Sequence, residues 1–111
     1  MRTLIQEGYT IDINGPGAVT ASPGGTSRGS NLVWYDFDAT GYGTLTVTWD
    51  DVGYYNSNID KLNAFQVRLI GTGGGNFDIE FRYETINWTT GSASGGTSGL
   101  GGTVARAGYT S

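Results

Sequence analysis

A strict alternation of apolar and charged residues between positions 77 and 84 constrains the fold of this chain more than any other feature. Odd positions are apolar and even positions are charged: Phe77, Ile79, Phe81 and Tyr83 alternate with Asp78, Glu80, Arg82 and Glu84. Successive side chains of a β-strand point to opposite faces of a sheet, so the segment predicts a strand with one dry face and one wet face. Helical periodicity is nearly absent elsewhere, which predicts an all-β fold.

A second alternating run precedes this strand and is expected to pair with it. It covers residues 63–70 and places Phe65, Val67 and Leu69 on one face. The glycine-rich segment 71–75 separates the two runs, which predicts an antiparallel hairpin of about 63–70 and 76–84. The six apolar partners of this hairpin are expected to line a shared dry interior. With Ile70 opposite Asn76, the predicted pairs are Leu69 with Phe77, Val67 with Ile79, Phe65 with Phe81 and, on the wet face, Arg68 with Asp78.

The parity of the apolar residues changes after Tyr83, because the next large apolar residues are Ile86 and Trp88. One extra residue must be absorbed near Glu84 or Thr85. The change therefore predicts a β-bulge at this point, or a strand that passes from one sheet to another.

Further strands are expected on both sides of the hairpin. Many short strands separated by turns rich in Gly and Asn are typical of a sandwich or barrel. We expect one domain over residues 1–111, folded as an antiparallel two-sheet β-sandwich with glycine-rich loops. The segment 91–102 has the composition of a linker, but we expect an ordered loop because apolar sequence resumes after it. The other predicted strands are 9–13, 19–21, 32–37, 44–49 and 104–107.

The composition excludes several classes of function. The chain contains no Cys and no His, which excludes thiol catalysis, a serine triad built on His and a structural zinc site. It carries 6 basic and 10 acidic residues, and the basic residues are scattered, so a nucleic-acid partner is not expected. No run approaches the ~18 apolar residues of a membrane span, so membrane insertion is not expected. The N-terminus lacks an apolar signal segment, so we expect either no cleaved signal or a mature fragment.

Several segments resemble the nidogen-like extracellular (NIDO) domain family, which occurs in nidogens and in tectorin-type and mucin-type proteins. The resemblance covers roughly Trp34 to Tyr109, whereas the family's usual N-terminal strands are not recognisable in residues 1–30. It implies an extracellular or surface-associated, secreted β-sheet module without enzymatic activity that acts in cell adhesion or matrix assembly. The matching elements are Trp34-Tyr-Asp-Phe-Asp38, Trp49-Asp-Asp-Val-Gly-Tyr-Tyr55, Asp60-Lys-Leu-Asn-Ala-Phe-Gln66, Asn76-Phe-Asp-Ile-Glu-Phe-Arg-Tyr83 and Ile86-Asn-Trp-Thr-Thr-Gly91.

Carboxylates are the candidates for metal binding. Asp36 and Asp38 share one face of a predicted strand, where two like charges are unfavourable unless a cation or an Arg lies between them. We therefore name Asp36 and Asp38 as a candidate calcium site, because calcium prefers oxygen ligands. The segment 56–60 (Asn-x-Asn-x-Asp) also alternates like a calcium loop, but it lacks the Gly and the Glu of an EF-hand. In both places the alternative is that Asn and Asp serve the turns. No other cofactor is expected.

Aromatic residues provide the candidate binding surface. Tyr and Trp are enriched at binding hot spots, and four of them lie in predicted strand ends and loops: Tyr54, Tyr55, Tyr42 and Trp34. Tyr54 and Tyr55 are consecutive and flanked by turn residues, so at least one of them is expected to point outward. The alternative is that aromatic residues, Trp34 among them, fill the interior of a small domain that has few Leu.

Three functions remain open from the sequence. The first is a non-catalytic extracellular adhesion or matrix interaction module that binds a protein or a glycan. The second is a structural subunit of an assembly, such as a virion decoration, tail or surface-filament protein, with self-association through strand edges. The third is a calcium-assisted carbohydrate-binding module. An enzyme is not expected, because a glycosidase needs two carboxylates in a cleft and a chain of 111 residues has little volume for one.

Overall fold

The computed structural model describes residues 9–11, 17–55 and 57–109. Each strand pairs antiparallel with the next one along the chain, and the sheet order is β1-β2-β3-β4-β5. The all-β prediction is confirmed. The described residues form one sheet, however, so the two-sheet sandwich is not confirmed, and one domain over 1–111 stays a prediction. The strands are β1 (Tyr9–Ile11), β2 (Leu32–Asp38), β3 (Thr44–Tyr54), β4 (Asn58–Gly73) and β5 (Asn76–Ile86).

The outer strands are predicted with mixed success. The predictions at 32–37 and 44–49 are confirmed by β2 and β3, and the prediction at 9–13 is confirmed over β1, while residues 12 and 13 lie outside the described residues. The predictions at 19–21 and 104–107 are wrong, because neither segment has strand structure. Instead of a ladder, one backbone bond to another described residue holds each segment: Val19 N–H donates to the Gly29 carbonyl, and Ala105 N–H donates to the Thr89 carbonyl.

The central hairpin is confirmed, but its register differs from the predicted one by two residues. The predicted pairs are wrong because β4 continues through Gly73, so that the turn consists of Gly74 and Gly75 alone. Both turn glycines have positive φ, 63° and 80°, as a two-residue type I′ turn requires. A shift of two residues preserves parity, so the side chains share faces as predicted. The observed pairs are Phe65 with Tyr83, Val67 with Phe81 and Leu69 with Ile79.

A β-bulge interrupts β5 where the change of parity predicts one. Phe65 pairs with Tyr83, and the adjacent Ala64 pairs with Thr85. Glu84 is therefore the extra residue, and the prediction of a bulge near Glu84 or Thr85 is confirmed.

A second bulge lies at the same level of the sheet, on β3. Asp50 and Asp51 together lie opposite Ala64, because the flanking pairs are Trp49 with Phe65 and Val52 with Asn63. Asp51 has a φ of 55°, in the left-handed region where Asp is enriched among non-glycine residues. The two bulges thus place three acidic residues around Ala64.

One face of the sheet is apolar, and we call it the aromatic face. Of its thirteen residues only Val33 is buried. The predicted dry interior is therefore wrong: Phe77 is 57% exposed, and the other five hairpin residues are half-buried. The register aligns the face in three rows that run across β2 to β5. The first row is Val33, Trp49, Phe65 and Tyr83, the middle row is Tyr35, Val47, Val67 and Phe81, and the third row is Phe37, Leu45, Leu69 and Ile79. Phe77 lies beyond the third row, opposite Gly71.

The buried interior lies at the bulge end of the sheet and is mostly polar. The segments 17–31 and 87–105 bond to the sheet at this end. The buried residues at this end include Val52, Tyr54 and Ala64 among the apolar ones and Asn31, Thr48, Asp50, Asp51, Asn63, Gln66 and Thr90 among the polar ones.

The glycine-rich segment 91–102 is ordered, as predicted. It contains a 3₁₀ turn at Ser92–Ser94 and an isolated bridge between Thr97 and Leu100. The Ser92 N–H donates to the Tyr55 carbonyl at 2.9 Å, which ties the segment to the end of β3.

Candidate interaction surface

The aromatic face contains a ladder of rings that crosses three strands. Trp49 of β3 stacks on Phe65 of β4, with ring centroids 4.6 Å apart and planes 12° apart. The Phe65 ring centroid lies 6.3 Å from that of Tyr83 on β5, at an interplanar angle of 30°. Such aromatic pairs add about 0.5–1.5 kcal/mol beyond the burial of their area. The ladder therefore holds its rings in fixed positions while one side of them stays open.

The rim of the aromatic face is more exposed than its centre. Phe37 is 64% exposed, and Tyr83 is 55% exposed. With ~200 Å² for a whole aromatic side chain, the exposed apolar area of the face is on the order of 700 Å². The largest apolar patch of a typical monomeric protein measures ~300–600 Å², and larger ones mark interaction sites.

None of the thirteen residues of the aromatic face is charged, and the charged residues of the same rows, such as Arg68, Glu80 and Arg82, lie on the opposite side of the sheet. We call that side the polar face. Depletion of charge together with enrichment in aromatic residues is the composition of an interface core. The polar face consists of Trp34, Asp36 and Asp38 on β2, Thr44, Thr46 and Thr48 on β3, Gln66, Arg68 and Ile70 on β4, and Asp78, Glu80 and Arg82 on β5.

An ion-pair cluster lies on the polar face. Arg68 Nη1 lies 3.2 Å from Glu80 Oε1, and Arg82 pairs with the same carboxylate. The hydrogen bond from Arg68, and then the one from Arg82, lowers the pKa of Glu80 against the effect of burial, which raises it. The predicted pairing of Arg68 with Asp78 is wrong, because the shifted register places Asp78 opposite Ile70.

The three carboxylates at the bulges hold the segment 17–31 against the sheet. A buried N–H group without an acceptor costs about 1–3 kcal/mol, so these carboxylates stabilise the path of a loop that has few apolar side chains. Asp50 accepts from Arg28 N–H at 2.7 Å, from Ser30 N–H at 3.0 Å and from the Ser30 hydroxyl at 2.5 Å. Asp51 accepts from Gly29 N–H at 2.8 Å and from Ser22 N–H at 3.2 Å. Glu84 accepts from Thr26 N–H at 2.5 Å and from Ser27 N–H at 3.4 Å.

The predicted calcium pair shares the polar face. Asp38 Oδ1 accepts the Thr40 N–H at 2.8 Å, which is the turn-forming role named as the alternative. Asp36 lies opposite Thr46 on β3. Within residues 9–11, 17–55 and 57–109, no group of three or more His, Cys, Asp or Glu side chains could hold a metal ion. Calcium binding at Asp36 and Asp38 stays a prediction, which a calorimetric titration of the chain and of Asp36→Asn with calcium tests.

The second oxygen-rich segment is engaged with Tyr54. The Tyr54 hydroxyl donates to Asp60 Oδ1 at 2.5 Å, and Lys61 Nζ donates to Asp60 Oδ2 at 3.3 Å. The hydrogen bond from Tyr54 lowers the pKa of Asp60, and the same bond raises the pKa of Tyr54. Asn56 lies outside the described residues.

The four aromatic residues predicted as a binding surface do not form one surface. Tyr54 is buried, whereas Tyr55 is exposed, so the prediction that at least one of them points outward is confirmed. Tyr42 is exposed in the β2–β3 turn, at the other end of β3 from Tyr55, roughly 35 Å away at ~3.3 Å per residue. Trp34 is half-buried on the polar face, and its indole N–H donates to Ser30 Oγ at 2.9 Å.

Comparison with known protein families identifies the family of this chain. The family model described as "Nidogen-like domain" matches residues 20–111, which includes β2 to β5 and both bulges. The chain belongs to the nidogen-like domain family. The family match begins upstream of the segment recognised from the sequence, and it includes the loop that Asp50, Asp51 and Glu84 hold.

Relatives of this nidogen-like domain are found in much longer proteins. Alpha-tectorin of Gallus gallus is 48% identical over 66 residues, which cover 57% of this chain and 3% of the relative. Alpha-tectorin of Homo sapiens is 47% identical over the same length. Nidogen of Drosophila melanogaster is 36% identical over 74 residues, or 61% of this chain and 5% of the relative. No solved structure gives a significant match, and no helix in the described ranges is long and apolar enough to cross a membrane.

The aromatic face of the nidogen-like domain is the surface that sequence reasoning did not identify. One signal was the shortage of large apolar residues in the two long segments that bond to the sheet at its bulge end. The segment 17–31 contains one large apolar residue, Val19, and the segment 87–109 is dominated by Gly, Ser and Thr. Neither segment has enough apolar side chains to supply a second layer for thirteen residues.

Proposed function

We propose that this nidogen-like domain is a non-catalytic extracellular module that binds a protein partner of the matrix through its aromatic face. The observation that carries the proposal is the open, uncharged face with exposed Phe37, Phe77 and Tyr83. The extracellular setting is supported by the relatives, since alpha-tectorin and nidogen are extracellular matrix proteins. In this proposal the second layer of the predicted sandwich comes from the bound partner.

A protein partner is favoured over a glycan by the chemistry of the face. Sugar rings need hydrogen-bonding groups beside the aromatic ring, because a buried hydroxyl without a partner is costly. Among its thirteen described residues, the aromatic face offers only the hydroxyls of Tyr35 and Tyr83 and the indole N–H of Trp49. Its aliphatic and aromatic surface is suited to the apolar core of a protein interface. The comparisons give no support to a virion subunit.

The absence of catalysis is part of the proposal. The deepest carboxylates among the described residues, Asp50 and Asp51, are fully buried and accept backbone N–H groups. A group that is engaged in this way cannot approach a substrate. The charges of Glu80, Arg68 and Arg82 are paired with one another on the polar face.

The test is surface plasmon resonance of the immobilised chain with solubilised basement-membrane matrix as the probe. Phe77→Ser and Asp78→Ser are a matched pair, because the two residues are adjacent and lie on opposite faces. We expect the wild type to bind, Phe77→Ser to weaken binding roughly tenfold as a hot-spot residue would, and Asp78→Ser to bind like the wild type. Absence of wild-type binding, or equal losses in the two variants, would contradict the proposal.

A further inference from the structure

We infer that the protein seated on the aromatic face is a second copy of this chain, so that two sheets packed face to face form the β-sandwich between two molecules. The inference rests on the proposed function, because it names the occupant of the same surface. A two-fold symmetric contact uses the same patch on both copies. One self-complementary surface is therefore sufficient.

The area of the aromatic face matches what a stable dimer needs. Two copies that each contribute on the order of 700 Å² bury about 1,400 Å² in total, and specific stable interfaces bury ~1,200–2,000 Å². Neither edge of the sheet offers comparable apolar area, because β1 has three residues and the side chains of β5 are divided between the two faces.

The distribution of large and small side chains on the aromatic face suits sheet-on-sheet packing. Side chains on the inner faces of two packed sheets interdigitate, with the sheets ~10 Å apart. The middle row of the face has small side chains at its centre, and both neighbouring rows have larger ones there. Val47 and Val67 have smaller side chains than Trp49, Phe65, Leu45 and Leu69 in the neighbouring rows. Large residues of one copy can therefore fill the space above the two valines of the other.

Charge selects the aromatic face over the polar face for contact between two copies. The chain has a formal net charge of −4, so two copies repel each other wherever acidic residues meet. Asp36, Asp78 and Glu80 lie on the polar face, and like charges brought together at an interface cost several kcal/mol. Contact through the aromatic face keeps these charges on the outside.

Sedimentation velocity of the chain over a concentration series tests the inference. Val47→Lys and Thr46→Lys are a matched pair, because they add the same charge at adjacent positions of β3 on opposite faces. We expect the wild type and Thr46→Lys to reach twice the 11.7 kDa mass of one chain. We expect Val47→Lys to self-associate roughly a hundredfold more weakly, because the contact would bury an unpaired charge.

A cross-linking measurement covers the case in which Val47→Lys fails to fold. The chain has no cysteine, so a single engineered thiol is unambiguous. We expect Val67→Cys to form covalent dimers with a short bismaleimide, and Thr46→Cys to form few. Equal cross-linking of Val67→Cys and Thr46→Cys would overturn the inference. A wild type that stays monomeric at every concentration would overturn it as well. So would self-association that Val47→Lys and Thr46→Lys weaken equally.

The outcomes separate this inference from the proposed function. A monomeric wild type that still binds matrix through Phe77 overturns the second copy and leaves the proposed function standing. A dimer that dissociates in Val47→Lys, together with matrix binding that Phe77→Ser does not change, supports the second copy, keeps the aromatic face as a protein-binding surface, and overturns only the part of the proposed function that places a matrix protein on this face.

Discussion

The two faces of this sheet have the same strands and the same twist, yet they are covered in opposite ways. The aromatic face has thirteen apolar residues, of which one is buried. The polar face carries the charged residues, and at its bulge end Thr48 and Gln66 are buried, with the Gln66 amide donating to Thr48 Oγ1 at 2.8 Å. In this chain the segment 17–31 packs where the sheet supplies hydrogen-bond acceptors for its backbone, and not on the face with the most apolar side chains.

The physical reason lies in the composition of the segment 17–31. A loop rich in Gly and Ser has many backbone N–H groups and little apolar surface, so it gains more from carboxylate acceptors than from aromatic rings. Asp50, Asp51 and Glu84 supply those acceptors at the bulges. The thirteen described residues of the aromatic face, in contrast, have no side-chain acceptor beyond the hydroxyls of Tyr35 and Tyr83.

The largest expected effect comes from removing an acceptor on the polar side. Asp50→Ala leaves the N–H groups of Arg28 and Ser30 without their partner, so we expect the free energy of unfolding to fall by about 3 kcal/mol. Urea denaturation measures this loss, and hydrogen exchange should show faster opening of residues 22–31.

The control for Asp50→Ala is Asp36→Ala, another acidic residue of the same face. It is expected to change the unfolding free energy by no more than about 0.5 kcal/mol, as is usual for surface substitutions. Similar losses in both variants would mean that the hydrogen bonds of Asp50 to the segment 17–31 do not contribute more to stability than an acidic residue elsewhere on the polar face. That result would contradict the explanation given for the difference between the two faces.

A smaller effect on stability is expected from the aromatic face. Phe77→Ser removes a ring that is already more than half exposed, so its loss in unfolding free energy should be about 1 kcal/mol or less in dilute solution. Urea denaturation at low protein concentration measures it, with Asp78→Ser as the control. A loss as large as that of Asp50→Ala would show that Phe77 belongs to a packed interior.

The hydrogen bond between Tyr54 and Asp60 should give a pH signature at the bulge end. The folded pKa of Tyr54 is raised, so its stabilisation is complete below the ordinary Tyr pKa and is lost as the pH rises through the folded pKa. The folded pKa of Asp60 is lowered, so its stabilisation is present above the ordinary Asp pKa and is lost as the pH falls through the folded pKa.

Tyr54→Phe tests that signature. We expect the stability difference between wild type and Tyr54→Phe to be constant at intermediate pH and to shrink at both ends of a series of urea denaturations. A difference that does not change with pH would contradict the assignment of the shifts to this bond.

The smallest expected effect concerns the ion-pair cluster on the polar face. Because the pKa of Glu80 is lowered in the folded chain, its contribution is present above the ordinary Glu pKa and is lost as the pH falls through the folded value. Glu80→Gln should therefore flatten the acid limb of the stability profile, with little change near neutral pH because exposed ion pairs contribute little. An acid limb that is the same in both proteins would show that Glu80 does not contribute to the pH dependence.

Alternation in the sequence was sufficient to predict which side chains share a face and where β5 bulges. Parity is a local property, so the change between Tyr83 and Ile86 located the extra residue near Glu84 or Thr85, and the strand pairing identifies it as Glu84. The register was missed because the glycine run 71–75 does not reveal which two of its residues form the turn. A displacement of two residues preserves every face, and the pattern therefore does not exclude it.

What covers each face was not predictable from local pattern. The bonds from Asp50 and Asp51 to the loop span 20 to 29 residues of sequence, and no periodicity reports contacts of that range. The buried side chains of Tyr54 and Gln66 were missed for the same reason. The openness of the aromatic face agrees with the few large apolar residues in the segments 17–31 and 87–109, and no periodicity within the strands reports that composition.

The measurement that tests the central claim most directly is hydroxyl-radical footprinting of the wild-type chain at high dilution and at high concentration. We predict that Phe37, Phe77 and Tyr83 are oxidised readily at high dilution and become protected as the concentration rises, while Tyr54 is protected throughout. Protection of all four rings at every dilution would show that the chain covers its own aromatic face, which would contradict the claim that this face is open to a partner.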